Sequence, residues 1–226
     1  MARRPARTRR TRAVTAEASP ADPREAVLDA FLRLAAERDY GEISLADIAA
    51  EAGVSLAALR AGYNGKLAIL AEFSRRTDTA VLDKGPAEGA EARDRLFEIL
   101  MRRLDLLAPH RGALRRLMRS ARRDLVLAAA LHRIARRSQM WMLSAAGIHK
   151  GGLGGRILIE GAVVGYSEVL RTFLDDEDPG LARTMAALDR TLTRGERAVG
   201  WLDEICAFLP GIRERVRRAR DRAAEA

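Results

Sequence analysis

Apolar residues recur at three- and four-residue spacing through most of this chain, and strict apolar/polar alternation is nowhere sustained. A chain patterned in this way buries one stripe of each helix, so the expected fold class is all-α. Composition agrees. Ala, Leu, Arg and Glu dominate while aromatic residues make up 4%, a mix that favours helix over sheet. With 226 residues there is length for one large domain or two small ones with a real core. No uninterrupted apolar run approaches the ~18–20 residues of a membrane span. No apolar stretch follows the basic start as it would in a secretory signal. Stable membrane insertion is therefore not expected, and a cytoplasmic location is. The lone cysteine, Cys206, excludes an internal disulfide and suits a reducing compartment. It sits in the apolar run Ile205-Cys206-Ala207-Phe208 and reads as inert packing.

Helix punctuation divides the chain into four parts. Residues 1–20 are a basic tail, 21–80 a bundle of short helices, 81–210 a body of longer helices, and 211–226 a second basic tail. The formal charge of +9 points to an anionic partner, nucleic acid first and anionic lipid second. Arg3, Arg4, Arg7, Arg9, Arg10 and Arg12 crowd the first tail with no acid among them. That stretch lacks apolar periodicity and is expected to be disordered. It serves either as a solubilising tail or as a flexible arm that adds phosphate or minor-groove contacts.

Asp22 with Pro23 opens a first helix, whose inward stripe is Val27, Phe31, Leu34 and Ala35. Ser44 caps a second, helped by Asp47 at the third position, and Gly53 ends it in the left-handed region. Ser55 caps a third, from Leu56 to about Tyr63. A fourth starts at Lys66 and turns Leu67, Leu70 and Phe73 inward. Further helices are expected over 88–107, 111–119, 121–146, 155–174 and 179–207. Between the middle pair, Gly151-Gly152-Leu153-Gly154-Gly155 reads as a flexible connector, since it lacks the strand and spacing of a phosphate-binding glycine loop.

The stretch from Ser44 to Leu70 is a helix-turn-helix pattern. Ile48 and Ala49 on its first helix face Val54 and Leu59, and the small residues Ala49 and Gly53 let the helices cross closely. The second helix is then free to enter a major groove with its early residues at base edges. Ala30-Phe31, Tyr40-Gly41, Ser44-Leu45-x-Asp47-Ile48-Ala49-x-x-Ala52-Gly53-Val54-Ser55, Leu59, Tyr63, Lys66 and Leu70 together resemble the head of the TetR family of bacterial repressors. The resemblance implies a three-helix head followed by a larger helical domain for dimerisation and ligand binding. It further implies a homodimer on a near-palindromic operator in double-stranded DNA, released by a small apolar effector. DNA contacts are then expected from Ser44, Ser55, Leu56, Ala57, Ala58, Arg60, Tyr63 and Lys66, although Tyr63, at a helix seam, reads as core before DNA contact. The match departs from the family along the recognition helix. Arg60 and Gly62 stand where a tyrosine and a histidine are usual, and Leu56-Ala57-Ala58 offers apolar contact but no hydrogen bonds. Arg60 can read guanine or hold a phosphate, and Lys66 is placed for phosphate.

In the body, Phe97, Leu104, Met118, Leu131, Met140 and Trp141 are candidates for an adaptable apolar ligand pocket. Val164, Leu170 and Leu174 can face Leu181, Met185, Leu188 and Leu192 across an intersubunit four-helix bundle, or pack within one chain. The segment from Gly165-Tyr166 through Phe173-Leu174-x-Asp176 to Thr184-Met185 and Leu188-Asp189 also resembles the COQ9-like proteins, TetR-fold relatives that bind lipids in ubiquinone biosynthesis. That second resemblance implies an alternative function, a lipid- or quinone-binding protein with a vestigial head.

No catalytic pattern is present. His110, His132 and His149 have no Cys or carboxylate at metal-ligand spacing, and nucleophile-elbow, zinc-protease and phosphate-loop motifs are missing. Asp175-Asp176-Glu177-Asp178 precedes Pro179 and reads as a solvated turn. An enzyme is not expected, nor is a metal or a cofactor.

Overall fold

A computed structural model describes residues 22–208, with side chains through residue 198. Both basic tails and the Cys206 side chain lie outside the described residues. Those residues contain helices and no strand. The helices run α1 Pro23–Glu37, α2 Leu45–Glu51, α3 Leu56–Gly62, α4 Lys66–Leu82, α5 Ala92–Leu107, α6 Arg111–Ala121, α7 Leu125–Ala145, α8 Gly152–Leu174 and α9 Ala182–Phe208.

Local capping chemistry accounts for most of the boundaries. The Asp22 side chain accepts the Arg24 amide, with Pro23 at the first helical position. Ser44 and Asp47 cap reciprocally: the Asp47 amide donates to Ser44 Oγ at 3.0 Å, and the Ser44 amide and hydroxyl donate to Asp47 Oδ2 at 2.9 and 2.7 Å. These bonds hold the Asp47 carboxyl below its usual range. Ser55 accepts the Ala58 amide at 3.1 Å, and Gly53 has φ +65°, the left-handed turn that frees α3 to change direction.

Two body helices begin later than their apolar pattern. Residues 88–91 are not helical ahead of α5, and α7 waits for Asp124, whose side chain accepts the Leu127 amide at 2.9 Å. One begins earlier. Gly152–Gly155 belong to α8 rather than to a connector, and a Cβ on Gly155 would stand 2.0 Å from the Lys150 carbonyl oxygen. The glycine is needed there for close backbone approach. The acidic turn also differs from its sequence reading. Asp176 is buried, accepting the Thr184 amide and hydroxyl at 2.9 and 2.7 Å, while Asp178 Oδ2 accepts the Ala182 amide at 3.1 Å. Two of the acids thus serve the start of α9 by filling its unsatisfied amides.

One contiguous apolar cluster joins Val27, Phe31, Ile48, Leu59 and Ile69 of the N-terminal helices to Leu104, Leu127, Met142, Phe173 and Leu188 of the body. α1 packs on α6, α4 on α5 and α7, and α8 along α9. Where α4, α5, α7 and α8 meet lies a buried polar network. Arg103 donates to Asp78 Oδ1 at 2.9 Å, to the Tyr166 hydroxyl at 2.8 Å and to Ser74 Oγ at 3.3 Å, and Ser138 donates to the same Asp78 oxygen at 2.7 Å. Burial pushes the Tyr166 hydroxyl pKa up.

Breaking one side of a buried ion pair leaves an uncompensated charge that costs about 3–5 kcal/mol. Asp78→Ala is therefore expected to lower unfolding free energy by about that amount in urea titrations, and a loss under 1 kcal/mol would contradict the network's role.

Candidate nucleic-acid interface

The N-terminal helices assemble around Phe31, Ile48, Leu59 and Ile69, each at most 2% exposed. With Leu59 anchored inward, the opposite side of α3 has nowhere to go but outward. Leu56 is 54% exposed, and Ala57, Ala58 and Arg60 are exposed beside it. Arg60 donates to Asn64 Oδ1 at 2.8 Å, an exposed bond that orients the guanidinium along the helix and exchanges readily with a better acceptor. Gly62 is the last residue of α3 rather than an interior one, so its helix penalty is small. Ser44 and Ser55 are exposed at the starts of α2 and α3, as their capping role requires.

Two of the expected contacts are engaged within the head. Tyr63 is 4% exposed, and its hydroxyl donates to the Arg24 carbonyl at 3.0 Å while the Arg24 guanidinium lies over its ring and donates to the Gly62 carbonyl at 3.2 Å. The start of α1 thus clamps the end of α3. The Lys66 ammonium donates to the carbonyls of Tyr40 and Ile43 at 2.7 and 2.6 Å and rests 4.1 Å from the centre of the Tyr40 ring. Burial pulls its pKa down. Two of its three donors are occupied by the turn before α2, and the residue acts as an internal tie.

The apolar ligand candidates do not gather round one space. Leu104 is fully buried core; Phe97, Met118 and Leu131 are half-buried and pack against the core at large. Met140 and Trp141 point outward, Trp141 at 51% exposure. A cavity of about 390 Å³ does open between the end of α7 and the start of α8. Of the six it borrows only Met140, joined by Leu143, Ile148, Leu158 and Ile159. Helical spacing showed these side chains to be apolar; the gap between helices depends on how α7 and α8 diverge after Gly147. The expected α8–α9 set also splits. Leu174, Leu181 and Leu188 are buried, Leu170 and Leu192 half-buried, and Val164 and Met185 exposed.

Comparison with known proteins follows this geometry. No protein-family model matches the sequence, and no curated protein sequence does. Solved structures do match. A TetR transcriptional regulator from Nitrosomonas europaea is 25% identical, with a TM-score of 0.60 over 77% of this chain and 99% of its own. A TetR transcriptional regulator from Rhodococcus sp. RHA1 is 15% identical, with a TM-score of 0.56 over 76% and 95%. A TetR-family regulator from Streptomyces coelicolor is 17% identical, with a TM-score of 0.51 over 87% and 98%. The chain has the TetR-regulator fold. Within that fold a helix-turn-helix head, here α2 and α3 packed with α1, precedes a larger helical domain. Among the described residues no helix is long and apolar enough to cross a membrane. None of their His, Cys, Asp and Glu groups is arranged to hold a metal.

The Lys66 tie can be separated from a phosphate contact. Lys66→Met keeps the side-chain stem but leaves two carbonyls unpaired, so stability is expected to fall by about 1–3 kcal/mol, with the salt dependence of DNA binding unchanged. A salt slope lower by about one unit at unaltered stability would put the ammonium on a phosphate instead.

Proposed function

We propose that this protein is a DNA-binding transcriptional regulator that represses by occupying a near-palindromic operator as a homodimer. The observation that carries this reading is the outward face of α3. Leu56, Ala57, Ala58 and Arg60 are exposed on a short helix held by Leu59, Tyr63 and the Ser55 cap. A rigid projecting helix of this size fits a major groove. On this reading the head of residues 21–80 reads the operator and the body of residues 81–210 dimerises and senses an effector. Leu56 and the alanines meet thymine methyl groups, and Arg60 exchanges Asn64 for a guanine edge or a phosphate. The protein acts in the cytoplasm without catalysing a reaction.

Support for a dimer comes from α8. Leu153, Ile157 and Val164 are exposed at 72%, 43% and 60% along one stripe, and a shallow groove beside them is lined by Arg156, Glu160 and Gly161. An apolar stripe of this kind on a soluble chain marks a partner surface. A second copy related by a two-fold axis covers it isologously and presents two α3 helices to a palindrome. The cavity between α7 and α8, walled by Met140, Leu143, Ile148, Leu158 and Ile159 together with Ser144, His149 and Lys150, supports a small effector with an apolar body and a polar end that loosens DNA binding. The second resemblance carries less weight. Tyr166, Val169, Phe173, Asp176 and Thr184 are buried packing and capping residues of α8 and α9, so those positions speak for the fold and not for a lipid.

Genomic fragments selected by the purified protein are expected to share a near-palindrome bound far above random DNA. Weak binding that ignores sequence and vanishes with salt, with an isoprenoid lipid co-purifying, would replace the regulator with a lipid carrier. On the selected site, Arg60→Ala should relax preference at one position per half-site by about 1–3 kcal/mol. Ile157→Glu with Val164→Glu should yield a folded monomer by sedimentation velocity that binds the palindrome at least tenfold more weakly. A dimer persisting through both changes would move the interface off this face of α8.

A further inference from the structure

The α6–α7 turn carries a basic cluster that none of the contacts above uses. Arg119, Arg122 and Arg123 are all exposed, and none makes an ion pair or a side-chain hydrogen bond among the described residues. Their acidic neighbour Asp124 is committed to capping α7 through the Leu127 amide at 2.9 Å. Other α6 arginines are spent internally. Arg116 donates to the Ala36 carbonyl at 2.9 Å, Arg111 to the Asp176 carbonyl at 3.0 Å with its guanidinium over Phe173, and Arg115 to the Leu174 carbonyl. The uncommitted positive charge of this helix is concentrated at its last turn.

That turn is joined to the head. Ser120 Oγ, in the middle of the cluster, accepts the Tyr40 amide at 3.2 Å. The Tyr40 carbonyl accepts Lys66, which also holds the Ile43 carbonyl, and Ser44, the next residue, caps α2. Asp124 lies near enough to influence the charge of Lys66 and the hydroxyl of Tyr40. In a helix-turn-helix the first helix crosses the phosphate backbone while the second enters the groove. A duplex seated on α3 therefore passes the start of α2, where Ser44 stands four residues from the Tyr40 amide that Ser120 holds.

We propose that Arg119, Arg122 and Arg123 of the α6–α7 turn form a second, sequence-independent DNA contact that grips phosphates flanking the operator. The proposal rests on the regulator reading and extends its DNA interface from the head onto the body. Arginines without internal partners lose little on binding phosphate, and the contact releases counterions. Leu125 and Val126, 84% and 70% exposed just beyond the cluster, would also suit an anionic membrane surface. The link to the Tyr40 loop favours DNA.

The test uses the full-length protein and two duplexes carrying the selected palindrome. One ends at its edge, and the other extends about 10 base pairs, one helical turn, on each side. Fluorescence anisotropy should show the longer duplex bound about tenfold more tightly. Arg122→Ser with Arg123→Ser should abolish that advantage, leave the short duplex unaffected and lower the salt slope on the long duplex by about two per subunit. Lysine at both positions should preserve most of the length effect. Equal binding of both lengths by the unaltered protein, or equal weakening of both by the serine variant, would overturn the proposal while leaving the operator reading intact. Charge-dependent binding to vesicles containing phosphatidylserine, lost in the serine variant and without a length effect on DNA, would assign the turn to membrane and overturn it too. Failure to bind even the short duplex specifically would remove the regulator reading and this proposal together.

Discussion

Asp78 is a carboxylate taken out of water in the middle of the molecule, and it is tolerable only because Arg103 and Ser138 meet it there. An ion in a protein interior loses several kcal/mol of hydration, recovered only through good geometry and further hydrogen bonds. Arg103 provides both by reaching Tyr166 and Ser74 with its remaining nitrogens. The network fixes α4 against α5, α7 and α8. The same helix carries Lys66 at its other end, tied to the turn before α2. A helix of 17 residues spans about 25 Å, so one stiff rod connects the body's buried charges to the turn before α2. A tilt of α4 must carry the ion pair with it or break it, and this couples the placement of the head to the packing of the body.

Net charge alone is a poor guide to where an anion binds. Many of the described arginines are structural: Arg24 clamps the end of α3, Arg103 neutralises Asp78, and Arg111, Arg115 and Arg116 fill carbonyls at helix ends. Lys66 joins them. Among the described cations left for an outside partner are Arg60 on α3, lightly held by Asn64, and the cluster at the α6–α7 turn, with Lys84, Arg133, Arg137, Arg156, Arg171 and Arg190 exposed singly elsewhere. Counterion release rewards cations that are not already paired, so this division matters more than the overall excess.

Much of the head was legible because its boundaries are local. Asp22, Ser44, Asp47 and Ser55 bond to amides two or three residues away, and a cap depends on little else. The contacts that reading along the chain does not supply involve distant partners. The Tyr63 hydroxyl is held by the Arg24 carbonyl, 39 positions earlier, and the half-buried Lys66 by carbonyls 26 and 23 positions earlier. Asp176 looked solvated within its acidic turn until Thr184 was brought over it. The sequence hints were present but silent: a lysine beside a tyrosine-containing turn signals a tie only once the two are known to meet.

The pattern of apolar spacing and capping residues by itself determined an all-helical chain, the helix-turn-helix with its outward α3 and, to within a few residues, the helix ends. Those are consequences of backbone hydrogen bonding and of periodicity within single segments. Tertiary structure alone decided which apolar stripe stays bare, which arginines stay unpaired and where the cavity opens. Periodicity reports that a face is apolar and never what covers it. Leu174 and Leu188 are covered within the chain while Val164 is not, because the turn at Asp176 brings α9 back along one side of α8 and leaves the other open.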